Sequence, residues 1–488
     1  MRGRTSSPYA LGVRRLVALA MGGGPQFADA LRRCWDDHDA VLPLDMRLSQ
    51  PAIARIIEAL RPSAVVDASG RPASIPGGEP VEDADALVVA TSGTTGEPKG
   101  VVLTHANLIG TLDAAHNLIP EQRHRAVSLL PLSHLLEQVA TVFYAMSVGA
   151  HVLYIRSRNP RVLFEAIRDH RTTSIVLVPQ IVDLFWAAIE REVATQGRLP
   201  MFNRMRRIAR HLPYPLRRLM FVQVHRRFGG SLNLIVCAAA FLPPSLQQAW
   251  EDIGVVVMQG YGATECGVAS ATNQRDHGLG TVGRTIRPVQ VKLADDGEIL
   301  VCGPTLFSGY WRDPGTTAAS FTEDGWYRTG DIGRHDASGH LILMGRKKDI
   351  IVLPNGLNVY PEDVENALRT AGIRDAVVVE PVPGRIEAIV LAPGAPVLPR
   401  PDEEPASARA PEIGDPATVR AQIDAAVRSA NATLAVHQRV AAWRLWPDAD
   451  FPRTHTFKVQ RDRIRAWAVI DEPLPVREER PAPAGKGR

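Results

Sequence analysis

Short apolar segments alternate with helix-like segments along the first half of the chain. Between residues 11 and 90, strand-like runs at 17–20, 40–43 and 64–67 are separated by helix-like stretches at 27–35 and 52–60. The alternation continues from residue 101 to residue 260. Strands that alternate with helices are typical of βαβ units. The sequence therefore predicts an α/β fold with parallel sheet layers in a large N-terminal domain.

The pattern changes in the second half of the chain. Short runs between Gly and Asp turns predict a β-rich subdomain at 255–344, and a mixture of strands and helices after residue 345 predicts a small α+β domain. We therefore predict a large domain over residues 1–344, a hinge at 345–348 and a small mobile domain over 349–471. The Pro-rich stretch 393–416 is predicted to be a mobile loop, and residues 472–488 a disordered tail. A length of 488 residues suits two or three domains.

A loop rich in glycine and hydroxyl residues joins two apolar runs, 86–90 and 101–103. It reads TSGTTGEPKG over residues 91–100, and its candidate phosphate-binding residues are Thr91, Ser92, Gly93, Thr94, Thr95, Gly96 and Lys99. Glycines let a backbone turn tightly and approach a ligand, while backbone N–H groups, hydroxyls and a lysine hold phosphate oxygens. The alternative is a surface hairpin with ordinary turn residues. The spacing of a Walker A loop is absent.

Three further motifs lie downstream of this loop. The first, GYGATE, follows a buried run at 255–258 and contains Gly260, Tyr261, Gly262, Thr264 and Glu265. The second, WYRTGD, ends at Asp331 and is followed by Arg346 after a further strand-like run. The third surrounds Lys458, with Pro-Arg-Thr before it and Val-x-Arg after it. In isolation, such a glutamate or lysine is usually solvated and such an aspartate is usually a turn residue.

Taken together, these four motifs resemble the signatures of the adenylate-forming (AMP-binding) superfamily. This superfamily includes acyl-CoA synthetases, stand-alone adenylation domains and luciferases. The resemblance covers nearly the whole chain, from about residue 11 to about residue 467. The segment that normally precedes this region is expected to be missing or much reduced, which leaves a sheet edge exposed or covered by another chain.

The resemblance implies a role for each motif in binding ATP and Mg²⁺. The loop at 91–100 would close over the β- and γ-phosphates. Glu265 would hold Mg²⁺, which prefers carboxylate oxygen, while Thr264 would hydrogen-bond near the α-phosphate and Tyr261 would stack near adenine. Asp331 would accept both ribose hydroxyls, and Arg346 would contact the ribose and phosphate side.

The resemblance also implies roles for residues of the small domain. Lys348 sits where the superfamily keeps its hinge residue, and domain rotation usually occurs at such loop positions. Gly356 lies in the loop thought to line the pantetheine tunnel. Lys458 would bridge the acyl carboxylate and the α-phosphate, where preorganised positive charge stabilises the transition state.

Two positions depart from the superfamily pattern. The segment 237–242 reads CAAAFL where the superfamily usually has Ser-Gly-Gly-Ala-Pro-Leu against adenine. Ala239 and Ala240 are therefore assigned to nucleotide binding, although alanines at 238 and 239 are expected to lose the positive-φ freedom of glycine. Phe457 replaces the glycine that usually precedes the catalytic lysine. Neither change removes a charged group, so an active enzyme is predicted.

The segment 131–138, PLSHLLEQ, resembles the acyl-pocket motif of medium- and long-chain fatty acid synthetases. His134 either lines that pocket or caps the following helix. We therefore predict an AMP-forming acid–thiol ligase. It would make acyl-AMP from ATP and a carboxylic acid, for which a medium- or long-chain fatty acid is predicted, and then transfer the acyl group to CoA. One alternative acceptor is the phosphopantetheine of an acyl carrier protein. An alternative of another class is a catalytically silent scaffold.

Charge and cysteine content place few limits on the partners. The net charge is only +4, and the four cysteines are far apart with no C-x-x-C pair, which fits a reducing cytosol and gives neither a metal site nor a disulfide framework. No nucleic-acid partner is expected. Residues 193–250 contain nine arginines and no Asp or Glu. The arginine-rich segment 198–227 is therefore either a solvated helical face or a peripheral contact with a membrane or an acidic partner, so a cytoplasmic or membrane-peripheral location is predicted.

Overall fold

A computed structural model describes residues 14–82, 84–92, 98–157, 159–274, 276, 278–373, 375–392, 415–448, 450–453, 459–470 and 474–475. Packing divides the chain into two compact units. The first consists of Met1–Thr329 and His335–Ile342, and the second of Gly330–Arg334 and Leu343–Arg488. This division assigns Asp331 and Arg346 to the second unit. The predicted boundary at residue 344 and the hinge at 345–348 stay predictions.

The first sheet of the first unit has seven strands. Its strands are β1 (Leu16–Ala20), β2 (Ala40–Pro43), β3 (Ala64–Asp67), β4 (Pro72–Ser74), β5 (Asp85–Ser92), β6 (Pro98–Thr104) and β16 (Gly309–Tyr310), in the order β16-β6-β5-β2-β1-β3-β4. The helices of this region are α1 (Pro25–Asp36), α2 (Gln50–Leu60) and α3 (His105–Leu118). Strand β1 pairs in parallel with both β2 and β3, as the βαβ pattern predicts.

The second sheet also has seven strands. They are β7 (Arg125–Ser128), β8 (His151–Tyr154), β9 (Ser174–Leu177), β10 (Leu234–Cys237), β11 (Val256–Ala263), β12 (Gly267–Ala271) and β13 (Arg284–Thr285), in the order β13-β12-β11-β10-β9-β7-β8. Strands β8, β7, β9, β10 and the start of β11 pair in parallel. The apolar residues of β9, β10 and the start of β11 are largely buried, whereas Leu153 of the edge strand β8 is 38% exposed.

Helices connect the strands of the second sheet. They are α4 (Leu135–Gln138), a π-helical turn (Val139–Phe143), α5 (Tyr144–Ser147), α6 (Pro160–Asp169), α7 (Pro179–Thr195), α8 (Leu199–Ala209), α9 (Tyr214–Met220), α10 (Val222–Arg227) and α11 (Pro244–Asp252). The largest side chains of this core are aromatic, and Phe185, Phe228 and Trp250 are almost fully buried. The π-helical turn Val139–Phe143 joins α4 directly to α5.

The β-rich region forms a smaller antiparallel sheet. Its strands are β14 (Gln290–Leu293), β15 (Glu298–Cys302), β17 (Tyr327–His335) and β18 (Leu341–Arg346), in the order β14-β15-β17-β18, and helix α12 (Pro314–Ala319) precedes β17. This arrangement confirms the predicted β-rich subdomain. All four cysteines are free thiols.

The second unit is a small α+β structure. It contains a 3₁₀ turn (Lys347–Asp349), β19 (Ile351–Val352), β20 (Asn358–Val359), α13 (Pro361–Thr370), β21 (Ala376–Val382), β22 (Arg385–Val390), α14 (Pro416–Thr433), a second 3₁₀ turn (Val436–Gln438), β23 (Ala442–Leu445), α15 (Arg461–Ile470) and β24 (Leu474–Pro475). The order of its main sheet is β21-β22-β23-β24. The predicted mobile loop, apart from its last two residues, lies outside the described residues. Within the predicted tail, residues 474 and 475 pair with β23.

Candidate nucleotide-binding site

The strands on either side of the glycine- and hydroxyl-rich loop form an antiparallel hairpin. Strands β5 and β6 pair through Thr91 opposite Lys99, and the Thr91 hydroxyl donates a hydrogen bond to the Lys99 carbonyl at 3.3 Å. Ser92 ends β5, while Gly93, Thr94, Thr95 and Gly96 lie outside the described residues. Gly100 has a packing role, because a Cβ there would lie 2.8 Å from Trp311 Cβ. The hairpin therefore brings Thr91 and Lys99 together at the base of the predicted phosphate loop.

Tyr310 links the predicted phosphate and magnesium ligands. Its hydroxyl donates to Glu265 Oε1 at 3.0 Å, and the Lys99 ammonium lies 5.5 Å from the centre of its ring. Tyr310 reaches this position because β16 pairs with β6, which places Tyr310 opposite Val101. An ammonium over an aromatic face is attracted by the ring quadrupole. Lys99 and Glu265 are 166 positions apart in the sequence, yet they share one neighbour in the fold.

A second tyrosine extends this hydrogen-bonded chain. The Tyr327 hydroxyl hydrogen-bonds to Tyr310, which in turn donates to Glu265. Burial, together with the nearby Glu265 carboxylate, raises the pKa of Tyr310 to about 12 and also raises the pKa of Tyr327. Both phenols therefore stay neutral donors near neutral pH and orient a partly buried carboxylate. Neither residue was assigned a role from sequence, although Tyr327 lies inside the WYRTGD motif.

The GYGATE motif forms the end of β11 and its turn into β12. Tyr261 is buried, and a bulge follows it where the antiparallel pairing with β12 shifts register. Gly262 is required by packing, since a Cβ there would lie 2.0 Å from the Gly267 carbonyl oxygen. Thr264 and Glu265 lie in the turn, and the Glu265 carbonyl accepts a hydrogen bond from the Phe307 N–H at 2.8 Å. The bulge and the tight turn thus fix the direction of Glu265.

The alanine segment lies at the neighbouring strand end. Cys237, the last residue of β10, pairs with Gln259 of β11, so residues 238–240 follow β10 next to the strand that carries Gly260. Ala239 adopts a φ of +74°, although its Cβ disfavours this conformation. The expected loss of positive φ at position 239 was therefore wrong: the backbone keeps the left-handed conformation. Ala239 and Ala240 are both exposed at the edge where ligands bind in open α/β sheets.

The residues around Glu265 fit Mg²⁺ that arrives with a nucleotide. Within the described part of the chain, no group of three or more His, Cys, Asp or Glu side chains is placed to hold a metal by itself. Mg²⁺ commonly uses only one or two protein carboxylates together with phosphate oxygens and water. Glu265 supplies one such carboxylate, held by Tyr310 through a single oxygen.

In the second unit, Asp331 and Arg346 form an ion pair. The Arg346 Nε lies 2.7 Å from Asp331 Oδ1, and the Asp331 side chain is only 13% exposed. The pair forms because β17 and β18 are neighbouring strands. A guanidinium beside the carboxylate keeps its oxygens oriented. The structure thus brings together the two residues predicted to contact ribose.

Lys348 and Gly356 lie on separate turns of the second unit. Lys348 is exposed in the 3₁₀ turn that follows β18. Gly356 has a φ of +79° in the turn between β19 and β20, and its N–H donates to the Leu353 carbonyl. Both positions suit a flexible or closely approached backbone. Their assigned roles in the hinge and the pantetheine tunnel stay predictions.

Lys458 lies outside the described residues, but the flanks of its motif are well anchored. Arg453 and Val459 form an isolated antiparallel bridge. Arg461 forms a bidentate ion pair with Glu365, with N–O distances of 2.6 and 2.7 Å. Arg453 is paired with Asp450. The bridge brings together the two described residues, Arg453 and Val459, that flank the segment 454–458 in the sequence.

His134 is the residue before α4. Its backbone is extended, with φ −102° and ψ 132°, and its side chain makes no capping hydrogen bond to the helix. Its side chain is half-buried. Of the two roles considered, helix capping is therefore not supported, and the pocket-lining role stays a prediction.

Comparison with known proteins gives consistent matches over most of the chain. A family model described as AMP-binding enzyme matches residues 70–311. A long-chain-fatty-acid–CoA ligase of Mycobacterium bovis is 31% identical over 409 residues, which cover 77% of this chain and 66% of the ligase. A peroxisomal long chain acyl-CoA synthetase of Arabidopsis thaliana is 33% identical over 316 residues, covering 59% of this chain and 44% of the synthetase. The chain therefore spans about two thirds or less of the length of these relatives.

Solved structures match at the level of the fold. ATP-bound MatB from Rhodopseudomonas palustris superposes with a TM-score of 0.71 at 20% identity, over 94% of this chain and 90% of MatB. The amide bond synthetase McbA from Marinactinospora thermotolerans superposes with a TM-score of 0.67 at 25% identity, over 94% of this chain and 90% of McbA.

Proposed function

Because the chain belongs to the AMP-binding enzymes of the adenylate-forming superfamily, we propose that it activates a medium- or long-chain fatty acid. In the first step, a carboxylate oxygen attacks the α-phosphorus of ATP, giving acyl-AMP and releasing pyrophosphate. In the second step, the thiol of CoA attacks the acyl carbonyl, giving acyl-CoA and releasing AMP. The fatty acid rests on the named relatives, which are ligases and synthetases for long-chain acids.

The single observation that carries this proposal is the series of side-chain contacts from Lys99 through Tyr310 to Glu265. It places a cation at the base of the phosphate loop and a carboxylate beside it, with one phenol touching both. A cation and an oriented carboxylate are the groups needed to hold a triphosphate and its metal. Lys99 would hold the departing pyrophosphate, and Tyr310 would keep one Glu265 oxygen oriented while the other binds the metal.

The remaining assigned residues would act around the α-phosphate. Mg²⁺, when bound, would neutralise charge that develops as pyrophosphate leaves. Asp331 would accept the ribose hydroxyls, with Arg346 fixing the orientation of its carboxylate. Lys458 would place its ammonium between the acid and the α-phosphate. Ala239 and Ala240, at the end of β10, would contact the adenine side.

An acid-dependent pyrophosphate exchange assay tests the first step. A panel of fatty, aromatic and amino acids is supplied with ATP and labelled pyrophosphate. Exchange with fatty acids, and release of AMP rather than ADP, is the expected result. No exchange with any acid would favour the scaffold alternative, and formation of ADP and phosphate would place the chemistry at the wrong phosphorus.

The acceptor is tested separately, because both acceptors follow the same first step. Purified acyl-AMP is offered with CoA or with a holo-carrier protein, and thioester formation is measured. We expect CoA to be the better acceptor. Faster transfer to the carrier protein would assign the chain to the carrier-loading alternative.

The role of Lys458 is tested by separating the half-reactions. We expect Lys458→Ala to lose acyl-AMP formation, by on the order of 10²–10³-fold or more for one lost transition-state contact. It should still convert supplied acyl-AMP to acyl-CoA. Arg463→Ala, on the exposed face of α15, is the control and should affect neither step. Equal loss of both steps in Lys458→Ala would contradict the assignment.

We further propose that the arginine-rich segment contacts an anionic membrane surface. Five of its nine arginines have structural partners. Arg206 and Arg210 pair with Asp252, Arg227 pairs with Glu192, and Arg217 and Arg218 donate to backbone carbonyls. The other four, Arg198, Arg204, Arg207 and Arg226, are exposed and have no partner within the described part of the chain.

Exposed apolar side chains lie between these four arginines. Leu216 and Leu219 on α9 are 49% and 71% exposed, and Met201 and Ile208 on α8 are 56% and 53% exposed. Apolar side chains flanked by arginine suit shallow insertion into the headgroup region of a bilayer. No helix of the described residues is long and apolar enough to cross a membrane. The proposed occupant of this surface is therefore a bilayer containing anionic phospholipid, contacted from one side.

Sedimentation with vesicles tests this contact. The protein should sediment with vesicles that contain phosphatidylglycerol and remain in solution with pure phosphatidylcholine. Each arginine near an anionic surface contributes about 1 kcal/mol, so replacing Arg204 and Arg207 by glutamine should lower the partition coefficient roughly 30-fold. Leu219→Glu should also reduce binding, whereas Val436→Glu, an exposed apolar site of the second unit, should not. Binding unchanged in both test variants would refute the contact.

A further inference from the structure

A fully buried carboxyl closes the loop that carries His134. Glu137 is 0% exposed, and the Ser128 hydroxyl donates to its Oε1 at 2.5 Å. Ser128 is the last residue of β7 and Glu137 lies in α4, so this hydrogen bond joins the two ends of the loop 129–134. The backbone N–H groups of Leu129 and Leu130 also lower the pKa of the carboxyl, although its Oε2 makes no hydrogen bond to the described residues. One side chain therefore holds both the start and the end of the loop.

The same residue is tied to the elements packed around it. The Glu137 carbonyl accepts a hydrogen bond from the Thr141 hydroxyl at 2.8 Å, inside the π-helical turn. The Thr141 carbonyl in turn accepts from the Tyr154 hydroxyl of β8 at 2.6 Å. Ser128 and Tyr154 are partners in the pairing of β7 with β8. These contacts hold the π-helical turn in place. Turns of this kind are often found near functional sites.

The charged and titratable groups that face Glu137 are few. Arg47 interacts with it through space, and its guanidinium also donates to the Leu129 carbonyl at 3.2 Å and pairs with Asp45. Tyr154 is the other titratable neighbour, and burial raises the pKa of its phenol to about 12, so it stays neutral near neutral pH. Arg47 is thus a positive charge that favours the ionised carboxyl, and its ion pair with Asp45 partly offsets this effect.

We infer that Glu137 is a positioning residue, whose buried carboxyl holds the loop 129–134 in the shape that binds the acyl chain. The inference rests on the proposed function, because it assigns the loop to the acyl pocket. Glu137 itself does not contact the reacting atoms. Its hydrogen bonds within the described part of the chain run to Ser128 and to its own helix, so it acts through the loop that these elements enclose.

The protonation of Glu137 gives this role a measurable signature. Burial raises the pKa of the carboxyl to about 8, although Ser128, Arg47 and the two loop amides favour its ionised form. The carboxyl is therefore mainly neutral at pH 7. Ionisation at higher pH places a charge in a site without water, and the loop must open to hydrate it. The binding-competent loop is then only a fraction of the population, and the apparent affinity for the acid falls by that fraction.

The experiment compares the KM for the fatty acid and the KM for ATP at pH 7 and pH 9. In the wild type, the KM for the acid should rise about 10-fold at pH 9, because about one tenth of the carboxyls stay neutral one unit above the pKa. Glu137→Gln, which keeps the shape of a neutral acid, should show a low KM at both pH values. Glu137→Leu should show a raised KM at both. The KM for ATP should stay unchanged in each case.

The matched control is Glu298→Gln, a buried carboxyl of the β-rich sheet. This variant should keep the alkaline rise of the wild type. An equal alkaline rise in Glu137→Gln, or a wild-type KM for the acid in Glu137→Leu, would overturn the inference. So would a change in the KM for ATP as large as the change for the acid, since that pattern indicates general destabilisation.

A stability measurement separates failure of this inference from failure of the proposed function. If the wild type exchanges no pyrophosphate with any acid, the proposed function fails, yet the protonation of Glu137 is still measurable. A folded pKa of about 8 lies above the ordinary value of 4.5, so the folded state binds the extra proton between these values. The stability of the wild type relative to Glu137→Gln should therefore fall as the pH rises from about 4.5 to about 8. A constant difference over this window would overturn the inference.

Discussion

Ala239 provides a direct test of backbone strain at the candidate nucleotide site. Its φ of +74° is left-handed, and this conformation costs a residue with a Cβ about 1–2 kcal/mol. Replacing it with glycine removes that strain, while the greater freedom of glycine in the unfolded chain costs about 0.5–1 kcal/mol. The Ala239 side chain is exposed, so little packing is lost. Ala239→Gly should therefore stabilise the first unit by about 0.5–1 kcal/mol.

Calorimetry of the protein without nucleotide measures this change. The entropy of unfolding is about 2.1 cal/mol/K per residue, so for a unit of about 330 residues the Tm should rise by about 1 °C. Ala240→Gly is the matched control. Ala240 is equally exposed and has no positive φ, so its replacement should lower the Tm by about 1 °C. The two variants should thus differ by about 2 °C.

The comparison between the two glycine variants decides the outcome. A lower Tm in Ala239→Gly, equal to that in Ala240→Gly, would show that position 239 carries no strain and would refute the reasoning. Because each variant changes only one methyl group at an exposed site, differences in hydrophobic burial contribute little to the comparison.

Three other outcomes follow from single contacts. Tyr310→Phe removes the hydroxyl that donates to Glu265, a charge-assisted hydrogen bond worth about 1.5–3 kcal/mol. The KM for MgATP in pyrophosphate exchange should therefore rise roughly 10- to 100-fold. An unchanged KM would contradict the role of Tyr310. Arg461→Met breaks the bidentate pair with Glu365 and should destabilise the second unit by about 3 kcal/mol in denaturant unfolding, whereas a loss below 1 kcal/mol would show that water compensates. Burial lowers the pKa of His225 from 6.5 to about 4, so the unfolded state binds the proton at a higher pH than the folded state does. The free energy of unfolding should therefore fall as the pH drops from about 6.5 to 4. In acid unfolding experiments, His225→Gln should lack this loss.

The fold was largely predictable from local patterns. The strands and helices of residues 16–67 lie where the apolar alternation placed them, and their parallel pairing follows from the right-handed crossover of βαβ units. The start of α3 is predictable from local sequence, because Thr104 and Asn107 form a reciprocal capping box. The π-helical turn is not, since its widened hydrogen-bonding pattern depends on Thr141 and Tyr154, which meet only in the fold.

Individual residues of the candidate site were predictable from the sequence, but the contacts between them were not. The resemblance of their motifs to the superfamily signatures indicated Lys99 and Glu265, and both contact Tyr310 in the structure. Tyr310 carries no motif of its own, and it reaches the site through a two-residue strand that pairs with β6. A contact between residues so distant in sequence leaves no periodic signal along the chain. The contact between Asp331 and Arg346 is easier to predict from sequence, because a short connection makes their strands neighbours.

The sequence by itself determined the order of elements, the motifs and the charge of each segment, because these depend on the identity and spacing of nearby residues. Only the tertiary structure decided which charges have partners and which groups lie without water. Three of the nine arginines of one segment form ion pairs because Asp252 and Glu192 come from other helices, and two more donate to backbone carbonyls. Glu137 is an ordinary glutamate in the sequence, and it acquires a raised pKa because the folded chain removes water from around it.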